Sequence, residues 1–356
     1  MFNTLISYIP YGVYAGVLTL ALALGLQPLA RQIGLLDNPG GRKKHAGNIP
    51  LIGGICLYIT FAVTFFFASE TIPELQWLVI STTLLLLVGI IDDFFDIRAI
   101  YKLLAQAGAA GLMVWGTDIH IDTIGYMADG SEVALGGFGY ALTIIAVVGL
   151  INAFNMSDGI DGLAGMQALI STLAISAIIT LMDRELIHEP YLDVFRGAIG
   201  GYLLVNLTIV SRRKVFLGDA GSMMIGFICA WIAIYYAQLP PAKGLPPSLA
   251  LWIFAVPVMD TMTLIIRRLL LGRSPFSADR KHLHHIFLRL GFNSRQALAV
   301  ISILSIAAIF AGSIIYFMFG DVPTIAGFAV LLIAYYLTIK RIWKISRFIR
   351  RLKRRI

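Results

Sequence analysis

Apolar residues in this chain fall in long runs separated by short polar stretches. Runs long enough to span a bilayer, about 17–25 residues each, begin near Ile9, Ile49, Trp77, Leu103, Phe138, Leu163, Phe195, Ser222, Ser248, Leu298 and Val322. They predict eleven membrane helices, of which those near Leu103 and Phe195 are interrupted by Gly and polar residues. Between the fourth and fifth runs, residues 119–136 alternate apolar and polar around Asp129-Gly130, the pattern of a short β-hairpin. After the last run, Ile342, Ile345, Ile349, Leu352 and Ile356 recur at spacings of three and four within a basic stretch. That stretch, 340–356, predicts an amphipathic tail lying on anionic lipid.

Composition agrees with this pattern. The chain has 356 residues, 58% hydrophobic and 13% charged, with a mean hydropathy of +0.82. Such usage lies outside that of soluble domains and indicates an all-α polytopic membrane protein. Of 28 Lys and Arg, only Arg184, Arg196 and Lys243 fall outside alternate loops and the tail. The positive-inside rule then puts the N-terminus outside, the C-terminus in the cytoplasm and the hairpin on the outer (periplasmic) side. No Lys or Arg precedes the first run, so a cleavable signal peptide is not expected. Cys56 and Cys229 lie in separate apolar runs and read as buried structural residues. The expected organisation is one transmembrane domain, 1–339, with cytoplasmic loops at 31–54, 92–102, 152–162, 211–222 and 267–296, followed by the tail. A positive run abutting a membrane span argues against nucleic acid as a partner.

Polar chemistry gathers in those same loops. Asp92, Asp93 and Asp96 close the run from Trp77 to Ile91, and Arg98 and Lys102 follow. One aspartate at the centre of a membrane helix costs about 2.5–3.5 kcal/mol. Three together therefore predict a place at the water interface or around a cation, and on a helix Asp92 and Asp96 share a face. Asn152, Asn155, Asp158 and Asp161 recur every three residues, with Gly159 and Gly162 allowing close backbone approach. Gly218 and Gly221 bracket Asp219 where a helix should begin, a ready anion site. Asp260 lies in the ninth run, with either a functional role or a pairing with Arg267 or Arg268.

The basic first loop carries Arg42, Lys43, Lys44 and His45, suited to phosphate or to setting topology. The loop Gly272–Arg295 holds His282, His284 and His285 beside Arg280, Lys281 and Arg289. Ser277 or Asp279 is expected to cap a short helix there that ends at Gly291. Zinc is the rival reading of the histidines, but no HExxH pattern and no nearby cysteine supports it. Magnesium takes one or two protein carboxylates and completes its shell with water and phosphate. Carboxylates at one membrane face, ringed by Lys, Arg and His, therefore suggest transfer of a phosphate group.

The motifs GIIDDFFD, NAFNMSDGIDG, KVFLGDAGS and ADRKHLHHIFLRLGF resemble those of the polyprenyl-phosphate hexose-1-phosphate transferase family, in order and spacing across nearly the whole chain. HLHH and the basic tail are most similar to its WecA-type branch, which uses N-acetylglucosamine. The MraY branch, which transfers phospho-MurNAc-pentapeptide, typically reads His-His-His-Phe-Glu there. The resemblance implies transfer of GlcNAc-1-phosphate from UDP-GlcNAc to undecaprenyl phosphate at the bacterial inner membrane, with release of UMP. This is the first lipid-linked step of a surface polysaccharide such as O antigen. It implies that Asp92 deprotonates or orients the lipid phosphate, assisted by Asp93. It also implies that Asp219 and Asn155 hold magnesium (manganese being the substitute) and that Lys102 contacts the diphosphate. Phe216 is implied to stack on uracil near Asp158 and Asp161, and His282, His284 and His285 to contact the sugar phosphate. A homodimer is an open assembly.

Three rivals explain less. Asp92 to Asp96 also fits the DDxxD pattern of membrane prenyltransferases, but a second Asp-rich motif is poorly copied and the histidines go unused. DGIDGLAG superficially resembles the CDP-alcohol phosphotransferases without their downstream aspartates. A secondary transporter would carry internal symmetry and carboxylates near the midplane.

Overall fold

A computed structural model describes residues 11–37, 47–67, 73–184, 189–274 and 281–353. Arg42, Lys43, Lys44, His45, Ser277, Asp279 and Arg280 lie outside the described residues. The chain forms two compact units. The first comprises residues up to Asp122 with Leu135–Leu245, and the second Thr123–Ala134 with Pro246 onward.

In the first unit the helices are α1 (Tyr11–Gly25), α2 (Gln27–Ile33), α3 (Gly53–Phe67), α4 (Pro73–Phe95), α5 (Ala99–Thr117), α6 (Phe138–Ser157), α7 (Leu163–Leu181), α8 (Glu189–Asn206) and α9 (Gly218–Ala237). Strands β1 (Leu36–Asp37) and β2 (Ile49–Pro50) pair antiparallel at the edges of the first basic loop. Helix α9 is the axis of this unit. It is packed by α3, α4, α6 and α7, and 94% of its membrane-length stretch is buried in protein. Its sequence, apolar all round apart from Asp219 and Ser222, suits a helix with no solvent face.

Small residues let the helices approach closely. Gly12 and Gly16 on α1 face Gly197 and Gly201 on α8, where an added Cβ at Gly197 would lie 1.8 Å from the Gly12 carbonyl oxygen. Two GxxxG faces meet as membrane helices commonly do. Gly89 on α4 has the same function against α9, since a Cβ there would lie 2.2 Å from Ala220 Cα. Gly89→Ala must therefore push α4 off α9 one turn before Asp92. The expected result is a loss of turnover of about a hundredfold, the order that a 1 Å misplacement can cost, with the protein still expressed and membrane-inserted. A steady-state rate within threefold of the parent would show that this contact does not set the site.

The second unit holds the hairpin β3 (Thr123–Tyr126) and β4 (Glu132–Ala134), then α10 (Pro247–Ile253), α11 (Ala255–Leu270), α12 (Leu283–Leu290), α13 (Ser294–Phe319) and α14 (Asp321–Lys353). The hairpin is tied to α14, because Tyr126 N–H donates to Asp321 Oδ2 at 3.1 Å and Ser248 Oγ donates to Asp321 Oδ1 at 2.6 Å. Asn293 and Gln296 form a reciprocal capping box that starts α13. Helix α14 runs unbroken from the last apolar run into the basic tail through Lys353.

Each of the eleven expected apolar runs carries helix, but the runs are not equal as spans. Among the described residues six helices are long and apolar enough to cross a membrane, or eight if the bent pairs α1–α2 (43°) and α10–α11 (76°) each count as one. Helix α3, at 15 residues, reaches about 22 Å against a hydrocarbon core of about 30 Å. Helix α5 carries Lys102 and Gln106, and α8 carries Asp193 and Arg196. Arg196 on α8 is held against α7, donating to the Thr172 carbonyl at 2.6 Å and to Ser176. The protein is a multi-pass membrane protein, with six to eight candidate spans among the described residues.

Candidate active site

The end of α4, the start of α5, the end of α6 and the start of α9 meet within the first unit. Lys102 Nζ lies between two carboxylates, 2.7 Å from Asp92 Oδ2 and 3.0 Å from Asp219 Oδ2. Asp92 is 7% exposed, and its other oxygen accepts the Ile97 N–H at 2.9 Å. Helix α4 ends there because the chain turns at Asp96, which adopts a left-handed φ of 48°. Aspartate tolerates that conformation. Asp96 is consequently exposed and shares no helix face with Asp92.

Asp93 takes a place the sequence does not advertise. Its Oδ1 accepts the Asp219 N–H at 2.9 Å, and its Oδ2 lies 3.5 Å from the Ala220 N. The anion at the start of α9 is thus the protein's own carboxylate, held by free backbone donors and the helix dipole. Gly218 makes this possible. It has φ +73°, and a Cβ there would lie 2.5 Å from Asp93 Oδ2. Asp93 thereby ties α4 to α9 and fixes where Asp219 points.

The polar row from Asn152 splits on folding. Asn152 turns to α5, donating to Gln106 Oε1 at 2.6 Å and to its own helix at Val148 O. Asn155 donates to Ser222 Oγ at 2.9 Å and hydrogen-bonds the Asp219 carboxylate. Asp158 lies just beyond the end of α6, and Asp161 forms an ion pair with Lys214. Burial first, then the charges of Asp219, Asp93 and Asp161, push the Asp158 carboxyl up to about 8. Phe216 is half-buried, and its backbone bonds Pro50 and Gly53, so the segment before α9 is stitched to β2.

Among the described residues Lys102 pairs with Asp92 and Asp219 and Lys214 pairs with Asp161, while Asp93 and Asp158 belong to the same acidic network. Burial raises Asp158 most, and repulsion from Asp219, Asp93 and Asp161 adds to it. An all-oxygen donor set with surplus negative charge fits a hard divalent cation such as magnesium. Among the described residues no three His, Cys, Asp or Glu side chains are grouped to hold a metal by themselves.

A pH signature follows from Asp158. In the unfolded chain this carboxyl ionises near its ordinary 3.8, whereas in the metal-free fold it holds its proton up to about 8. The fold binds more protons than the unfolded chain between those values, so Asp158 costs stability as pH rises through that window. Asp158→Asn is expected to melt progressively higher than the parent from pH 5 to pH 9 without divalent ions. A difference in melting temperature that stays flat across that range would refute the assignment.

The histidines form a cluster of their own in the second unit. His282 Nδ1 lies 2.8 Å from Asp260 Oδ2, while Asp260 Oδ1 accepts the Leu283 N–H at 3.0 Å and the Tyr335 hydroxyl at 3.1 Å. Asp260 therefore caps α12 from another helix, and its hydrogen bonds go to these groups rather than to Arg267 or Arg268. The helix ends at Gly291 with φ +102°, as its composition predicts. His282 and His284 stack with centroids 5.8 Å apart. Burial, then the neighbouring His285 and His282, holds His284 well below the usual imidazole range.

Sequence comparison decides the family. Residues 75–237 match the model described as glycosyl transferase family 4. An undecaprenyl-phosphate alpha-N-acetylglucosaminyl 1-phosphate transferase of Salmonella typhi is 41% identical over 333 residues, covering 92% of this chain and 90% of the relative. This chain belongs to the polyprenyl-phosphate hexose-1-phosphate transferases. Proteins with the same name from Escherichia coli K12 (39% identical, 92% and 90% covered) and Yersinia pestis (37%, 97% and 94%) agree. In this transferase the matched segment carries Asp92, Asp93, Lys102, Asn155, Asp158, Asp161, Phe216 and Asp219, while the histidines lie beyond it. Lys214, Ser222 and the Asp260 cap were not picked out as site residues from sequence. Lys214 and Ser222 stand at the two ends of the KVFLGDAGS motif, but nothing local names their partners.

Proposed function

We propose that this transferase moves GlcNAc-1-phosphate from UDP-GlcNAc to undecaprenyl phosphate, releasing UMP and leaving undecaprenyl-diphospho-GlcNAc. The observation that carries the reading is the convergence of Asp92, Lys102 and Asp219 with Asn155, from four separate helices. The site faces the cytoplasm of the bacterial inner membrane in this reading, and the product feeds a surface polysaccharide such as O antigen.

Asp219 and Asn155 are the residues that would hold magnesium. Bound there, the ion would supply charge neutralisation for the diphosphate being broken. Lys102 stands between the two acidic groups and is placed to donate to a phosphate oxygen in exchange for one of them. A lipid phosphate monoester has a second pKa near 6 by analogy with phosphorylated side chains, so it arrives largely deprotonated. Asp92, with both oxygens engaged, serves better to aim this nucleophile than to remove a proton from it. Asp93 positions Asp219 through the start of α9. Phe216 stacks on uracil, Asp161 and its partner Lys214 border the nucleotide, and His282, His284 and His285 take the sugar phosphate. Anionic lipids hold the basic end of α14.

The test is turnover of solubilised full-length protein with undecaprenyl phosphate and radiolabelled UDP-GlcNAc or UDP-MurNAc-pentapeptide. Label in lipid with stoichiometric UMP is expected from the GlcNAc donor alone. Turnover with only the muramyl donor would move the chain to the other branch, and release of no UMP from either would end the enzyme reading.

A further inference from the structure

The hydrogen bonds of Asp260 are divided unevenly between its two oxygens. Oδ1 accepts the Leu283 N–H at 3.0 Å and the Tyr335 hydroxyl at 3.1 Å, whereas Oδ2 lies 2.8 Å from His282 Nδ1. The first oxygen starts α12 and ties it to α14. The second has no such structural duty and serves the imidazole. Both side chains are 8% exposed. An ionised carboxylate accepts and cannot donate, so the proton of this short bond belongs on Nδ1. His284 stacks on the same ring within 5° of parallel.

With Nδ1 engaged, Nε2 is the ring atom that can meet a substrate. An ionised phosphate oxygen only accepts. To hold the sugar phosphate, His282 must therefore carry a proton on Nε2 while Nδ1 keeps its own. The ring is then an imidazolium, and an unbalanced cation would be costly in so buried a place. Asp260 supplies the balancing charge. His284 is 2% exposed, and its Nε2 is buried without a hydrogen-bond partner. Among the described residues no carboxylate bonds it, so of the two stacked rings His282 is the one equipped to carry charge.

On the reading that the histidines take the sugar phosphate, we propose that Asp260 is a positioning residue for the transfer. It fixes His282 with Nδ1–H on the carboxylate and makes Nε2 a charged donor to the phosphate of the nucleotide sugar.

Asp260→Asn separates this role from capping. Both of the other donors fall on Oδ1, so the amide has one good fit, with its oxygen toward Leu283 and Tyr335 and its nitrogen toward His282. The start of α12 is kept. The amide nitrogen donates, however, so His282 must turn a lone pair to it from Nδ1, carry its proton on Nε2 and stay neutral. Solubilised full-length protein labelled with 15N-histidine is compared by NMR with and without UDP-GlcNAc, His282 being assigned by the signal lost in His282→Gln. In the parent, Nδ1 should be protonated throughout, and Nε2 should be protonated as well once UDP-GlcNAc is bound. In Asp260→Asn, His282 should show the Nε2–H tautomer in both conditions. The KM for UDP-GlcNAc should rise about tenfold, the order by which a charge-assisted hydrogen bond exceeds a neutral one, while the KM for undecaprenyl phosphate stays unchanged. Tyr335→Phe removes a bond to Asp260 but leaves the pair with His282, and should change neither constant.

A parent His282 without a proton on Nδ1, a ring that stays neutral with UDP-GlcNAc bound, or equal rises in KM for Asp260→Asn and Tyr335→Phe would overturn the assignment. The parent spectra decide the matter even if the variant does not fold. A parent protein that releases no UMP would instead sink the transfer reading, and the role of Asp260 with it.

Discussion

Asp219→Asn is expected to lower kcat by about a thousandfold, the scale of several kcal/mol of lost charge stabilisation in the transition state, while acceptor-lipid binding changes little. The asparagine keeps the shape of the side chain and can still accept from Lys102, so the start of α9 and its bond to Asp93 should persist. What disappears is the charge shared with Lys102 at 3.0 Å and the hard oxygen that Asn155 helps to orient. The measurement is initial rate against magnesium concentration, alongside equilibrium binding of undecaprenyl phosphate. A variant that keeps magnesium-dependent turnover within tenfold of the parent would remove Asp219 from the cation-binding role.

Lys102→Ala should have the next largest effect. Its ammonium bonds both Asp92 and Asp219, and its side chain is 21% exposed. Without it two carboxylates face each other uncompensated. Losing one partner of a buried ion pair costs about 3–5 kcal/mol, and the partial exposure here lowers that to about 2 kcal/mol of stability. Catalytic efficiency with the nucleotide sugar should fall by about a hundredfold or more, mostly through KM for that donor. Raised magnesium should restore part of the loss, because a divalent ion can screen the same two carboxylates. Donor dependence identical to the parent's would place Lys102 outside the substrate's path.

Much of this arrangement is legible in one dimension. Long apolar runs became helices, and Asp92, Asn155 and Asp219, separated by up to 127 residues of chain, share one hydrogen-bonded centre. They are legible because carboxylates are expensive in hydrocarbon, which forces them to helix ends where the elements meet. The sequence conceals which partner each polar group takes. Nothing local says that Asp93 accepts from the start of α9, that Lys214 pairs with Asp161, or that Asp260 caps α12 through Leu283. Those pairings depend on how helices pack. Gly12, Gly16, Gly197 and Gly201 show the same limit, since each GxxxG spacing is visible but the meeting of the two is not. The number of spans blurs for another reason: α5 and α8 carry polar residues, Lys102 and Arg196 among them, that find their partners on neighbouring helices of the protein.

The enclosure of α9 leaves a mark on what substitutions the chain can accept. On a lipid-facing helix such as α13, where 22% of the stretch is buried, one apolar residue can replace another over most of the circumference, and tolerance should rise and fall with each turn. Helix α9 has no such permissive side. Side-chain volume is constrained at every angle, so a saturation survey read along it should show intolerance without a 3.6-residue rhythm.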